Sequence, residues 1–355
     1  ITFTHASGIT ERRRLTESIA PGVAVLDYNG DGRMDLFFVN SAGPSELWRN
    51  EGNLRFTKVK FGAHDFGLGV TTCDYNNDGR PDLFVTAYGR NALWRNNGDD
   101  TFTDVTVEAH LDRKGLWTAA VFFDADNDGD EDLFLGHFVA FNPAKEPECR
   151  YGGRYHYCHP LSYEAAASSF FINNGDGTFT DRSVESGIGS VKGKVFGAVA
   201  ADIDNDGRLD LFVANDSVAN FLFHNKGNGK FEEIGLSTGV AYSDDGNPRS
   251  GMGVDAADYD GDGLIDLFVA NFNRERFSLY RNRGNLTFTD ESGPTSIGNA
   301  TQMYSGWGVR FFDYDLDGRL VGEATFALPA DLPLGKRSRY RRYLGPTAVV
   351  GHRRQ

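Results

Sequence analysis

The chain has 355 residues, 40% hydrophobic and 13% aromatic, enough for a large core in one repeat-built domain or two ordinary ones. Its net charge of −14 argues against nucleic acid or an anionic membrane as partner, and no apolar run approaches the ~20 residues of a membrane span. Ile1 opens without a charged-then-apolar leader, so any signal peptide is expected to have been removed already.

Taken in order, the chain starts with I-T-F-T-H-A-S-G-I, which reads as the last strand of a repeat lacking its first three. An acidic loop follows, D-Y-N-G-D-G-R-M-D, with Asp27, Asn29, Asp31 and Asp35 at positions 1, 3, 5 and 9 and Arg33 at position 7. The same nine-residue pattern returns at Asp74, Asn76, Asp78, Arg80 and Asp82, and again at Asp124, Asp126, Asp128, Asp130 and Asp132. Two more copies are Asp202, Asp204, Asp206, Arg208, Asp210 and Asp258, Asp260, Asp262, Leu264, Asp266. A sixth, at Asp313, Asp315, Asp317 and Arg319, has Val321 in place of the ninth-position aspartate and is expected to bind more weakly.

Oxygen acceptors at positions 1, 3, 5 and 9, a carbonyl at 7 and a glycine at 6 form a cage of hard ligands, the chemistry calcium selects. An EF-hand is not expected, because position 12 of the third loop is Leu135 rather than glutamate and a strand follows. Ordinary Asp-Gly turns with solvated carboxylates are the blander account. They give no reason for acceptors at four fixed positions. Up to six calcium ions are expected. Positions 1, 3, 5 and 9 of the loops hold 21 of the 50 acidic residues, so much of the net charge reads as a metal requirement.

After each loop comes an apolar strand such as L-F-F-V, then a second strand ending in asparagine: Asn50, Asn96, Asn173, Asn225 and Asn282. A glycine two residues on and a phenylalanine four residues beyond it mark a hairpin and a third strand. A small-residue strand such as G-A-V-A-A then enters the next loop. Four short antiparallel strands per unit, at loop spacings of 47, 50, 78, 56 and 55, predict an all-β fold, a β-propeller of four-stranded blades over residues 1–320.

The 78-residue spacing contains an insert at about 141–169 with E-C-R-Y-G-G-R-Y-H-Y-C-H-P. Cys149 and Cys158 suggest a local disulfide; His156 and His159 leave zinc as the alternative, although the spacing is not a common zinc one. Cys73 reads as a buried thiol. Beyond residue 320 there is no L-F-V strand or Asn-x-Gly turn. Residues 321–355 carry seven basic and two acidic residues and read as an atypical, poorly ordered tail or an end out of pattern.

With these residues in hand, the chain resembles the FG-GAP/VCBS repeat family, whose repeats also build integrin α-subunit propellers. More narrowly it resembles the cartilage acidic protein and ASPIC/UnbV group, on N-N-G-D-G-T-F-T-D from Asn173, C-R-Y-G-G-R-Y-H-Y-C-H-P, V-A-N-D from Val213 and G-M-G-V-D-A-A-D-Y-D-G-D-G from Gly251. The resemblance covers Ile1 to about Leu320. It implies a secreted or surface protein with a seven-bladed, calcium-binding propeller followed by a small C-terminal domain. Six loops rather than seven are visible, a final blade and an extra domain are not expected within these 355 residues, and Cys158-His159-Pro160 stands where the group usually has Cys-Gly-Pro.

Counting five residues past each ninth-position aspartate, to where the inner strands should end, gives a polar and aromatic face: Asn40, Ala87, His137, Asn215 and Asn271, with Tyr88, Asp216 and Phe272 close by. The plainer alternative is that these polar residues only hydrogen-bond their neighbours. The function expected is a calcium-dependent extracellular, cell-surface or periplasmic binding or adhesion module for a glycan or protein ligand. The alternatives are a propeller enzyme acting on carbohydrate (a lyase or dehydratase with His137 and Asp216 as acid and base) or a scaffold for a missing C-terminal domain. Against catalysis, the eight histidines show no paired spacing and nearly all motif acids are assigned to calcium. Sequons stand at Asn215, Asn285 and Asn299.

Overall fold

In the computed structural model the described residues are 1–19, 21–62, 64–293, 295–313, 316, 320–327 and 347–350. The chain divides into two compact units, Ile1–Lys192 and Gly193–Gln355.

The first unit holds three four-stranded antiparallel arrays. The first sheet is Val23–Leu26, Asp35–Phe38, Glu46–Asn50 and Phe56–Val59, in that order. The second runs Phe66–Cys73, Asp82–Arg90, Ala92–Asn96 and Phe102–Asp104, and the third Lys114–Phe123, Asp132–His137, Ser169–Asn173 and Phe179–Asp181. Pairing of Tyr88, Gly89 and Arg90 with Leu116, Gly115 and Lys114 joins the second and third into one larger sheet.

The second unit repeats the plan. Its sheets are Val195–Ala201, Asp210–Asn215, Phe221–Asn225, Phe231–Glu233, and then Gly251–Ala257, Asp266–Asn271, Ser278–Asn282, Phe288–Asp290. A sixth sheet pairs Ser305–Phe312 with Val321–Ala327 and that with Thr347–Val350. These last two strands fall in the stretch that the sequence presents as an atypical tail without an L-F-V strand. No D-L-F-V copy marks them, and backbone pairing alone defines them.

Why these residues make these sheets follows from period-2 alternation. In D-L-F-V of the second sheet, Leu83 and Val85 join the cluster with Phe37, Leu47 and Trp94, while Phe84 turns to the cluster with Trp117, Leu133 and Phe171. A strand buried on both faces is apolar throughout, and this explains L-F-V rather than a polar alternation. The small-residue first strands have a different cause. A Cβ on Gly197 would sit 2.3 Å from Met252 O, and one on Gly253 2.3 Å from Trp307 O. Successive first strands therefore approach closely only because glycine stands there.

Two expectations are corrected. The first nine residues form no strand; Ala6 N donates to Asn40 Oδ1 (2.8 Å) and Ala42 N to Ala6 O (2.8 Å), while Phe3 stacks on Phe38. Local bonds to one turn take the place of a full ladder. The strand following each loop is also not innermost in its sheet; it lies second, flanked by the small-residue strand on one side and the hairpin strand on the other.

Candidate metal centres and the predicted ligand face

Five acidic loops lie within the described residues, each joining the first strand of a sheet to its second. Their turns need left-handed backbone at positions 4 and 6. Position 4 is Gly30 (φ 72°), Asn77 (52°), Asn127 (62°), Asn205 (60°) or Gly261 (78°), and position 6 is always glycine, with φ between 79° and 95°. Glycine and asparagine tolerate that region, so the N/G choice at position 4 has a backbone cause that the sequence reading missed.

The side chains then organise the turn. The position-1 carboxylate accepts the amides of positions 5 and 6: Asp27 from Asp31 (3.1 Å) and Gly32 (2.8 Å), Asp124 from Asp128 (3.1 Å) and Gly129 (3.0 Å). Asp74, Asp202 and Asp258 do the same at 2.8–3.0 Å. Position 5 accepts the amide of position 7: Asp31 from Arg33, Asp78 from Arg80, Asp128 from Asp130, Asp206 from Arg208 and Asp262 from Leu264.

The ninth-position aspartate is buried and clamped. Asp35, Asp82, Asp132, Asp210 and Asp266 each accept the amide of the hairpin asparagine (Asn50, Asn96, Asn173, Asn225 and Asn282) at 2.7–2.9 Å. Burial pushes Asp82, Asp132 and Asp266 up to about 7 and Asp210 to about 6, against amide hydrogen bonds that pull the other way.

A cation fits this arrangement on two observations. Asn76 Oδ1, Asp126 Oδ1 and Asp204 Oδ1, all at position 3, are buried and take no hydrogen bond. An acceptor left so costs about 1–3 kcal/mol, and a cation placed there would satisfy it. Ligand oxygens also converge: those of Asp124, Asp126 and Asp132, of Asp202, Asp204 and Asp210, and of Asp258, Asp260 and Asp262 lie within 4.8 Å of one another in each group. Of the sixth loop, Asp313 is described, while Asp315, Asp317 and Arg319 lie outside the described residues.

The hairpin asparagines are the residues whose role the sequence did not disclose. Asn96 Nδ2 donates to Tyr28 O (2.7 Å), Asn173 Nδ2 to Tyr75 O (2.8 Å) and Asn282 Nδ2 to Ile203 O (2.9 Å), in each case the position-2 carbonyl of the preceding acidic loop. Their recurrence before x-Gly was visible. That they tie one loop to the next was not.

In these repeats the loops and hairpins recur with one geometry, and the FG-GAP-like repeat family matches residues 27–85, 74–135, 161–213, 202–269 and 258–320. The chain belongs to the FG-GAP-like repeat family. Among curated proteins, cartilage acidic protein 1 of Xenopus tropicalis is 36% identical over 96 residues, 26% of this chain and 14% of that protein. Its Homo sapiens counterpart is 31% identical over 116 residues, 32% of this chain and 17% of that one. The matched stretch thus spans under a fifth of either relative. Among solved structures, an Agrocybe aegerita lectin described for specific recognition of non-reducing terminal N-acetylglucosamine aligns with TM-score 0.52 at 19% identity, over 85% of this chain and 74% of that one. The FG-GAP repeats here form an all-β, propeller-type fold.

The insert of the third FG-GAP sheet is closed by a Cys149–Cys158 disulfide, with Cα atoms 5.3 Å apart. The thiols are thereby used, and His159 instead accepts Leu161 N at Nδ1 (3.2 Å). Cys149–Tyr151 pairs with Arg154–His156 across Gly152 and Gly153, both at positive φ. Cys73 is buried and free, its thiol pushed well up by burial.

The predicted ligand face is mostly committed to turns. Asn40 Nδ2 donates to Thr4 O and Pro44 O, Asn215 Nδ2 to Ala219 O (2.8 Å), and Asn271 Nδ2 to Arg276 O (2.6 Å). All three are buried. His137 lies on Trp117, ring centres 4.2 Å apart, with its pKa lowered by burial, and Tyr88 meets Phe141 edge-on at 5.2 Å. Asp216 is buried and bridges to Ser250, whose amide donates to Glu275 Oε2 (2.7 Å). Beside that bond, within the second unit, opens a polar pocket of about 460 Å³ lined by Asp244, Asp245, Arg249, Arg274, Glu275 and Gln302 among others. Phe272, in the same turn as Glu275, is 44% exposed.

Proposed function

We propose that this FG-GAP chain is a calcium-binding extracellular β-propeller acting as a binding or adhesion module for glycan or protein ligands. The observation that carries it is the recurrent oxygen set with its buried, unbonded position-3 oxygens. Calcium would take side-chain oxygens from positions 1, 3, 5 and 9 and a carbonyl from position 7, the all-oxygen set it prefers. Bound there, it neutralises carboxylates that otherwise repel and fixes the turn between the first two strands of each sheet. At ~1 mM free calcium and a site constant of ~10 μM, mass action contributes about 2.7 kcal/mol per site. Cytosolic calcium is too scarce for such sites. Together with the disulfide and the match to cartilage acidic protein 1, this supports work outside the cell or in a periplasm.

The ligand reading rests on the pocket beside Glu275. Its carboxylates, guanidinium groups and amide suit hydroxyl-rich ligands, and exposed Phe272 offers a face for a sugar ring. The fold likeness to a lectin supports the glycan class. Glycan and matrix-protein arrays, run with calcium and after chelation, test it. A calcium-dependent hit that weakens at least tenfold in Arg274→Ala is expected. Silence from a folded, calcium-loaded protein on every array overturns the binding-module reading.

A further inference from the structure

The residue before the hairpin asparagine has the same register in each repeat: Arg49, Arg95, Ile172, His224 and Arg281. In the fifth loop it brings Arg281 Nη2 to 2.5 Å from Asp260 Oδ2, the position-3 carboxylate. In the fourth it brings His224 Nε2 to 3.2 Å from Asp204 Oδ2, again at position 3. This register therefore faces the ion site from the sheet. The third loop has only Ile172 there and offers nothing but oxygen.

His224 alters the donor chemistry of one loop. Its Nε2 is buried and forms no hydrogen bond, and Asp204 Oδ1 is in the same condition. Ligand atoms of Asp204, Asp206 and His224 lie within 4.8 Å of one another, and Asp204 also belongs to the oxygen set with Asp202 and Asp210. Calcium takes oxygen ligands, whereas an imidazole nitrogen beside carboxylates suits a borderline ion. Zinc accepts one such nitrogen and two carboxylate oxygens at ~2.0–2.2 Å, with water completing four-coordination.

We propose that the fourth loop holds a borderline divalent cation of the zinc class, ligated by His224 Nε2, Asp204 and Asp206, while the remaining loops use oxygen alone. The inference rests on the metal-loop reading only in taking these loops as cation sites. Ligation here is by the neutral imidazole, and no electron changes hands. The rival role for His224 is that of a fixed counter-cation, an imidazolium doing what Arg281 does next door.

Anomalous scattering separates these. The unaltered full chain, stripped by chelator and crystallised with ~1 mM calcium chloride and equimolar zinc chloride, would be measured on both sides of the zinc edge. A zinc peak among Asp204, Asp206 and His224, with calcium at the third and fifth loops, is the expected result. In solution, His224→Gln lowers zinc affinity by about tenfold or more with the calcium-loaded melting temperature unchanged, and Arg281→His adds a second zinc site. Calcium at the fourth loop with no zinc, or a zinc affinity within twofold of the original in His224→Gln, overturns the proposal. Cations absent from every loop would instead sink the calcium reading itself. Should His224→Gln fail to fold, the map of the unaltered chain still decides.

Discussion

Asn96 donates its side-chain Nδ2 to the carbonyl of Tyr28, 2.7 Å away and 68 residues earlier in the chain. The same amide reaches Pro81 O, its Oδ1 accepts Gly98 N, and its backbone amide is held by Asp82. One buried side chain thus locks its own hairpin and binds its acidic loop to the preceding one.

Replacing it tests that linkage. Asn96→Ala leaves the carbonyls of Tyr28 and Pro81 without their donor, and a loss of about 2–4 kcal/mol in denaturant unfolding is expected. Asn282→Ala, which frees Ile203 O, should cost a similar amount. A loss under half a kcal/mol in both variants would show that water replaces the amide without penalty.

Removal of calcium should be far more damaging than any single substitution. With several sites each contributing about 2.7 kcal/mol at millimolar calcium, a chelator is expected to lower the melting temperature by well over ten degrees. A shift of only a degree or two in a calorimetric scan would refute a structural role for the ion.

The pH dependence has a definite sign. Asp82, Asp132 and Asp266 are pushed up to about 7 in the ion-free fold, against ~3.9 in an unfolded chain. The folded state holds their protons more tightly, so this stability is fully present below about pH 4 and is lost as pH rises through about 7. Calcium-stripped protein should therefore melt at progressively lower temperature from pH 5 to 7.5. Saturating calcium, which favours the carboxylate form, should flatten that slope. Parallel curves with and without calcium would contradict the assignment of these carboxylates as ligands.

In the fifth loop a guanidinium reaches the position-3 carboxylate as well as position 5. That of Arg281 lies 2.5 Å from Asp260 and 3.1 Å from Asp262, where an incoming cation meets like charge. Arg281→Ala is expected to tighten calcium binding at that loop by roughly three- to tenfold, an effect of about 1 kcal/mol for a partly exposed pair. Titration calorimetry showing unchanged or weaker binding would mean that Arg281 swings clear at no cost.

Loss of the disulfide should act locally. Closing a short loop restricts the unfolded chain by roughly 2–3 kcal/mol. The insert has a second anchor, since Glu146 accepts Leu15 N (2.8 Å) and pairs with Arg14. Cys149→Ser is expected to expose the Tyr151 hairpin to limited proteolysis while the third and fifth acidic loops keep their calcium. Global unfolding of that variant at 37 °C would show that the insert supports the whole first unit.

The acidic loops, the four-strand unit and the family were legible along the chain, because each depends on short-range spacing. Carboxylates two residues apart, Gly129 after them and Leu133-Phe134-Leu135 beyond form one contiguous turn and strand whose chemistry is legible without neighbours. Contacts between distant residues settled the rest. They placed Asn40, Asn215 and Asn271 in buried turns instead of on an open face, made Asn96 a tie to Tyr28, and set His224 against Asp204. They also drew strands from Val321–Ala327 and Thr347–Val350, where no motif signals them. Such pairings arise from backbone register and packing across tens of residues, and spacing along the chain carries no record of them.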